Sequence, residues 1–503
     1  MLKLPDLKSI HMPCVVAFDL QLADGSILAV SEIVRVVLNK RLVCKAVWND
    51  EVVYAKLFIG ANAKRYALRD KQGVLALLAA KIATPQLLFA GTIKTSQALA
   101  GEVLIFKAVA PAQNAEVLYQ DLFEQQQTAP RLRLMLQLIT TVAQMHHANL
   151  QQTDLYFKNF LIDAEKVFAV DGDGVKSFSP FFKKIQKQRN LAMLLSKMDG
   201  LDSGWIEECY QHYCEKTDTK FDAYEYANLY HRVQKYRQKV ASTYADRKVF
   251  RACTDVKVNQ NFKRFIAYSP DFDAENLSEY QLDLALSDTQ NRLKSGNTCT
   301  VGTALLNNQT VVIKRYNIKN CWHGLKLSIF QSRAAKSWAN AHRLTLLNIA
   351  TAKPLALVET RFGWFKKRAY FLTEFIDAPD IATFFELETD NLIKEKVAFA
   401  TAQMFYKLYL LNISHGDCKA SNIKIVENRP VLIDLDSMQA HGFGSFFDNW
   451  RYKKKHVKDL QRFMQNWEHE PETRAIFSQA FVQAYDEVDD YLHISVLERA
   501  KIA

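Results

Sequence analysis

Asp154, Asn159 and Asp171 recur in this chain as Asp417, Asn422 and Asp434, in the same order and at one constant offset. An Asp followed five residues on by Asn, and after twelve more by a second Asp, supplies three groups that a single reaction needs together. The first carboxylate can take the proton of an attacking hydroxyl. The amide and the second carboxylate offer oxygen atoms to a hard divalent cation such as Mg2+. That set suits phosphoryl transfer from ATP, where positioning and charge neutralisation supply most of the rate. Such a spacing arises by chance in any long chain, but its repetition within the same flanking pattern makes chance the weaker reading.

The elements that must position these groups repeat as well. NFLIDAEKVFAVD from Asn159 and NIKIVENRPVLID from Asn422 superpose without a gap, each as two short apolar strands around a polar turn at 163–166 or 427–429. Such a hairpin carries Asn and Asp back to back. Upstream, VVYAKLF places Lys56, and TVVIKRY places Lys314, in a β-branched strand. A lysine buried on a strand needs an anion, here the α- and β-phosphates of ATP, with a helix acid to hold the ammonium. The helices that follow, RDKQGVLALLAAKI and KSWANAHRLTLLNI, also align, and Pro85 and Pro354 beyond them are expected to end each helix and open the next strand. The position of the helix acid is Asp70 in the first copy but Ser337 in the second, with no acid between Lys314 and Glu359. The second copy therefore lacks the pair or takes its acid from elsewhere. Strands EVLIFKAVAP and AYFLTEFIDAP lead to segments that would hold adenine, and amphipathic helices ending at MHH and YLL run into the Asp loops. His146 and His147 are read as surface or capping residues. Each half should be a small mixed sheet with one helix, followed by a helical lobe.

With 503 residues, 49% of them hydrophobic, the chain can form two full cores. The eight cysteines form no CxxC pair, which points to a reducing compartment and away from a zinc site. The N-terminus lacks a continuous apolar core and the apolar stretch from Val74 is broken by Lys81 and Pro85, so neither export nor spanning is indicated. A net charge of +11, with basic runs at 183–189, 232–239, 257–264, 366–368 and 451–458, suits an anionic membrane face or a phosphorylated substrate. Solvated helix faces explain part of the excess. Nucleic acid is disfavoured, since no zinc finger, RNP-like motif or heptad accompanies the basic runs.

At MHHANLQQTDLYFKNFLI and at ISHGDCKASNIKI with VLIDLDSM, the chain resembles the lipopolysaccharide core (Kdo/heptose) kinase family, small-molecule relatives of protein kinases. The resemblance covers both halves and implies an α+β fold of two tandem protein-kinase-like bilobal domains. We place them at 1–223 and 271–503, with a basic helical connector at 224–270. It further implies an ATP- and Mg2+-dependent phosphotransferase acting on an inner-core sugar or related glycolipid, in the cytoplasm and peripheral to the inner membrane.

Matching the motifs residue by residue, the resemblance implies that Asp417 is the base, Lys419 contacts the transferred phosphate, Asn422 and Asp434 hold Mg2+, and Lys314 holds ATP phosphates. The loop SGNTCTVG, with Gly296, Asn297 and Thr298, would cradle the nucleotide. The first half offers the parallel set Asp154, Asn159, Asp171, Lys56 and Asp70. It departs from the pattern with Gln152 and Thr153 where the family has His and Arg, and with a glycine-free loop, VVLNKRLV. Asp436 follows the metal Asp by two residues, its role open. The competing readings are a tandem pseudokinase scaffold in envelope biogenesis and a protein kinase; the latter is disfavoured because no APE motif follows either metal Asp.

Overall fold

The computed structural model describes residues 14–37, 40–93, 101–275, 277–287, 292–296, 299–316, 331–363, 365–443, 446–486 and 491–502. The chain divides into two compact units, Met1–Met198 with Trp205–Val233, and Asp199–Gly204 with Gln234–Ala503. The division falls inside the helix Ala223–Asp246. Of the stretch expected as a basic helical connector, the part beyond that helix contains strands Lys257–Gln260 and Arg264–Tyr268, which belong to the second unit's sheet.

In the first unit a six-stranded sheet runs in the order Cys14–Gln21, Ile27–Val37, Arg41–Trp48, Glu51–Phe58, Gly101–Lys107, Leu87–Ile93. In the second, seven strands run Lys257–Gln260, Arg264–Tyr268, Pro354–Phe362, Phe365–Glu374, Gln309–Tyr316, Cys299–Leu306, Arg292–Ser295. Every pairing described in these two sheets is antiparallel. The expected mixed sheet is thus corrected: hairpins and one helical excursion return each strand beside its neighbour in the opposite sense, and no parallel crossover is needed.

The helices Ala63–Ala79 and Arg333–Leu346 lie where the sequence aligned them, but proline does not end them. Each stops at a left-handed residue, Lys81 (φ 57°) or Asn348 (φ 53°). The following N–H reaches back to a helix carbonyl, Ile82 to Leu77 (3.0 Å) and Ile349 to Leu344 (2.9 Å), so the last carbonyls are satisfied before the proline arrives.

Helices Thr128–His147 and Asn391–Leu410 carry the lower cores and deliver the chain into the Asp loops. In the second unit Val397, Phe405 and Leu408 pack with Leu460, Phe463, Phe477 and Phe481 in one buried cluster. That cluster also receives Leu201, and the same early segment supplies a buried ion pair: Asp199 Oδ2 lies 2.5 Å from Lys407 Nζ. Lys407 donates further to Asn348 O (2.9 Å), while Arg237 donates to Ser203 Oγ (2.6 Å) and Asp199 O (3.1 Å). No helix among the described residues is long and apolar enough to cross a membrane.

Candidate active site

The Asn–Asp hairpins form as expected, Phe160–Asp163 against Lys166–Ala169 and Ile423–Val426 against Arg429–Leu432. Left-handed residues in the turns, Ala164 in one and Glu427 with Asn428 in the other, let the two-residue turns follow the strand twist. Beyond each hairpin the chain returns to the Asn, Val170 N–H to Asn159 O (2.9 Å) and Ile433 N–H to Asn422 O (3.0 Å). Asp171 (φ 72°) and Asp434 (φ 57°) then adopt left-handed backbone, which turns each carboxylate toward the strand lysine.

In the first unit, Lys56 Nζ lies 2.7 Å from Asp70 Oδ2 and 3.3 Å from Asp171 Oδ1, so the expected lysine–helix acid pair is present. Arg41 is an unforeseen member. Its Nη1 and Nη2 lie 3.0 and 2.8 Å from the two oxygens of Asp171, and Nη1 reaches Asp70 at 3.4 Å. Burial pushes the Asp171 carboxyl up, but Lys56 and Arg41 outweigh it and hold the group well below the usual carboxylate range. Asp70, wholly buried, is pushed up by burial against the pull of Lys56. Asp173 pairs with Arg69 (Nη2 to Oδ2, 2.8 Å).

Behind this site Gln152 keeps a contact that His415 makes in the second unit. Gln152 Nε2 donates to Val170 O (2.9 Å) and Asp171 O (3.2 Å), and His415 Nε2 meets Ile433 O at 3.1 Å. The Gln152 carbonyl accepts from Asn190 Nδ2 (2.8 Å), and Asn190 Oδ1 meets His146 Nε2 at 3.0 Å. His146 is therefore no surface or cap residue: it is fully buried, also bonded to Tyr213, with its pKa pushed down to about 4 by burial. His147 is exposed. A cavity of about 550 Å³ lies beside the expected adenine segment, lined by Lys45, Tyr54, Ala108, Pro111 and Ile162.

In the second unit Lys314 Nζ lies 2.5 Å from Asp434 Oδ1 and 2.9 Å from Asp436 Oδ1. The missing helix acid thus comes from the loop. Asp436 accepts from Ser337 Oγ at 2.8 Å, from Arg333 Nη2 at 2.9 Å and from the Tyr316 hydroxyl, so the serine at the helix-acid position holds the relocated carboxylate. Burial would lower the Lys314 pKa, but Asp436 and Asp434 together raise it. Burial would raise Asp434, and Lys314 overcomes that and holds it low. The Asp434 side chain is 33% exposed, against 22% for Asp171.

Asp417 and Lys419 stand 3.5 Å apart, Oδ2 to Nζ. Asn422 Nδ2 donates to Asp417 O (2.9 Å) and Oδ2 (3.2 Å), which commits its nitrogen and leaves its Oδ1 for a cation. The loop is fastened by Asp459, whose oxygens accept from the N–H groups of His415 (2.8 Å) and Gly416 (2.9 Å). Gly416 has φ 83°, and a Cβ there would lie 2.8 Å from Ser437 O. Gly296 N–H closes its turn onto Cys299 O at 3.1 Å, while Asn297 and Thr298 lie outside the described residues.

The donor set of the second unit suits Mg2+: one carboxylate with an oxygen beyond its lysine contact, and one amide oxygen. In the first unit both Asp171 oxygens already carry the Arg41 guanidinium, and the set does not fit a metal.

A family model described as the lipopolysaccharide kinase (Kdo/WaaP) family matches residues 63–215 and 287–485. No curated protein matches the chain. Among solved structures, a WaaP in complex with acyl carrier protein is 20% identical, covers 40% of this chain and 87% of its own, and has a TM-score of 0.32. The structure of vaccinia related kinase 3 is 10% identical, covers 46% and 92%, and has a TM-score of 0.28.

Proposed function

From the premise that the chain belongs to the lipopolysaccharide kinase (Kdo/WaaP) family, as an ATP-dependent kinase of two tandem protein-kinase-like folds, we propose that its second unit transfers the γ-phosphoryl of ATP to an inner-core heptose or Kdo hydroxyl. The observation that carries this reading is the cluster of Lys314, Asp434 and Asp436 beside the Asp417–Lys419 pair. Asp417 accepts the proton of the acceptor hydroxyl, and Lys419 holds the transferring phosphoryl against it. Lys314, kept charged by two carboxylates, holds the α- and β-phosphates. Asn422 and Asp434 would hold Mg2+, which when bound neutralises charge between the β- and γ-phosphates. Gly296 and its neighbours Asn297 and Thr298 would cover the nucleotide.

The acceptor would be met at the cytoplasmic membrane face. Supporting this reading, Phe181 and Phe182 are 89% and 60% exposed and lead directly into the helix Lys183–Leu195, with Lys183 and Lys184 exposed beside them. Exposed aromatics next to lysines suit the boundary between lipid headgroups and acyl chains. In the second unit the helix Phe446–Met464 carries Trp450, half exposed, with Lys454 Nζ 5.2 Å from its ring centroid.

Transfer of labelled phosphate from ATP to dephosphorylated lipid-linked core tests the assignment. Asp417→Ala should lower turnover by several orders of magnitude, as when one member of a cooperating site is removed, and Asp154→Ala should be far milder. Activity that survives Asp417→Ala and dies with Asp154→Ala reverses the ranking of the units.

A further inference from the structure

Strand register identifies what stands in the second unit where the first has Arg41. Val43 pairs with Lys56 and Arg41 with Phe58; Val301 pairs with Lys314 and Cys299 with Tyr316. Arg41 and Cys299 are therefore equivalent, each two residues before the partner of the strand lysine. A thiol leaves Asp434 to its lysine, whereas the guanidinium takes both oxygens of Asp171 in a fork that carboxylates accept well. A metal at Asp171 would have to strip that fork away and leave a largely buried arginine without its main partner, which is costly.

The cavity in front of this cluster, about 360 Å³, has a charge suited to an anion. Asp171 and Asp173 are spent on Arg41 and Arg69. Arg35, Lys158 and Lys176 also line it, and none of the three has a carboxylate partner among the described residues, while Asp154 is the remaining acid. Five cations thus face three carboxylates, an excess of two. A phosphate monoester carries about −1.5 to −2 at neutral pH and matches that excess without help from a divalent ion. Thr153, Tyr156 and Asp154 add the hydroxyl and carboxylate groups that sugar hydroxyls bond to.

We propose that the first unit is closed to the metal–nucleotide complex by Arg41 and instead binds a phosphate monoester, as on a phosphorylated saccharide, without a divalent cation. The proposal rests on the reading of the second unit as the catalyst. One tandem chain then holds a transferring site and a site that recognises sugar already carrying phosphate.

Two measurements on the full chain test this. With Mn2+ as a spin probe in the presence of ATP, the wild type should bind one ion, lost in Asp434→Asn and kept in Asp171→Asn. Arg41→Ala should gain a second; if that variant does not fold, Arg41→Lys, which keeps the charge without the fork, serves in its place. Two ions in the wild type, one of them lost in Asp171→Asn, overturn the closure. In the second measurement, calorimetry in EDTA, glucose 6-phosphate should bind wild type and Asp434→Asn alike, and at least tenfold more weakly to the surface variant Arg35→Glu/Lys176→Glu. Inorganic phosphate and ATP are the comparison arms. No binding of glucose 6-phosphate, or tighter binding of ATP in EDTA, overturns the monoester assignment. Were the second unit not the catalyst, the Asp434→Asn loss would vanish while the glucose 6-phosphate arm stayed unchanged, so the two failures are distinct.

Discussion

Lys314 and Lys56 solve one problem in two ways. Lys56 takes its acid from the neighbouring helix, as Asp70, whereas Lys314 takes Asp436 from the loop just after Asp434. Restoring the helix acid should therefore do harm. Ser337→Asp would set a second carboxylate where Ser337 Oγ now lies 2.8 Å from Asp436. Like charges that close cost a few kcal/mol at a partly screened site, so nucleotide affinity should drop on the order of tenfold or more. The exchange Ser337→Asp/Asp436→Ser, which moves the acid as in the first unit, should recover most of it; a gain from Ser337→Asp by itself would show that Asp436 is not the lysine's partner. The sequence carried the recurring groups plainly, because spacing finds what is repeated. Spacing cannot find a group that replaces another. Arg41 stood in view in VVLNKRLV, noted for the glycine it lacks, and Asp436 stood in view with no assigned partner, because both acquire their roles only through strand register and loop closure.

The helices contribute through single polar residues that hold loops by the backbone. Asp459, on the helix Phe446–Met464, accepts two loop N–H groups, and burial still pushes its pKa up to about 6 despite those bonds and Lys455, with Asp417 adding to the rise. Below that pH one oxygen becomes a hydroxyl and one N–H loses its acceptor, so activity should fall with an acid limb near 6. Asp459→Asn should behave at pH 7.5 as the wild type does in acid, with turnover lower by about tenfold, the scale of one unsatisfied buried group. The stability sign is opposite. A raised folded pKa means the native state holds the proton more tightly. The group's contribution is complete below the unfolded value and is lost as pH rises through about 6, at up to about 1.4 kcal/mol per pH unit. Melting at pH 4.5 and 6.5 should show the wild type losing ground to Asp459→Asn between them; an unchanged difference sinks the account. The anchor was not legible in sequence because it lies over forty residues beyond the loop it holds. The lysine helices show the same dependence on tertiary contact. Gly73 sits so close to Gly172 that a Cβ would lie 2.0 Å from its carbonyl oxygen, and in the second unit Asn340 instead bonds Leu435 O and Met438 O, both at 3.1 Å. The alignment of the helices was readable, and their distance from the loop was not.

At the scale of the whole chain, the excess positive charge should act at surfaces. Phe181→Ser/Phe182→Ser with Lys183→Glu/Lys184→Glu should reduce flotation with anionic vesicles and leave nucleotide binding intact, and added salt should weaken what binding remains. Equal flotation with neutral vesicles, insensitive to salt, would point to a soluble acceptor. A different consequence follows from the segment Asp199–Gly204, which precedes part of the first unit in sequence yet belongs to the second. Any single cut in the gene leaves one unit incomplete. A chain truncated to 234–503 would carry Lys407 in its core without Asp199, a loss of about 3–5 kcal/mol for breaking a buried ion pair. It should melt well below the same unit in the full chain, and Lys407→Met should return part of the difference. The tandem is therefore interleaved along its sequence: its halves look like separate inheritances, but a piece of the second is written inside the first, so a cut between them carries a cost in stability.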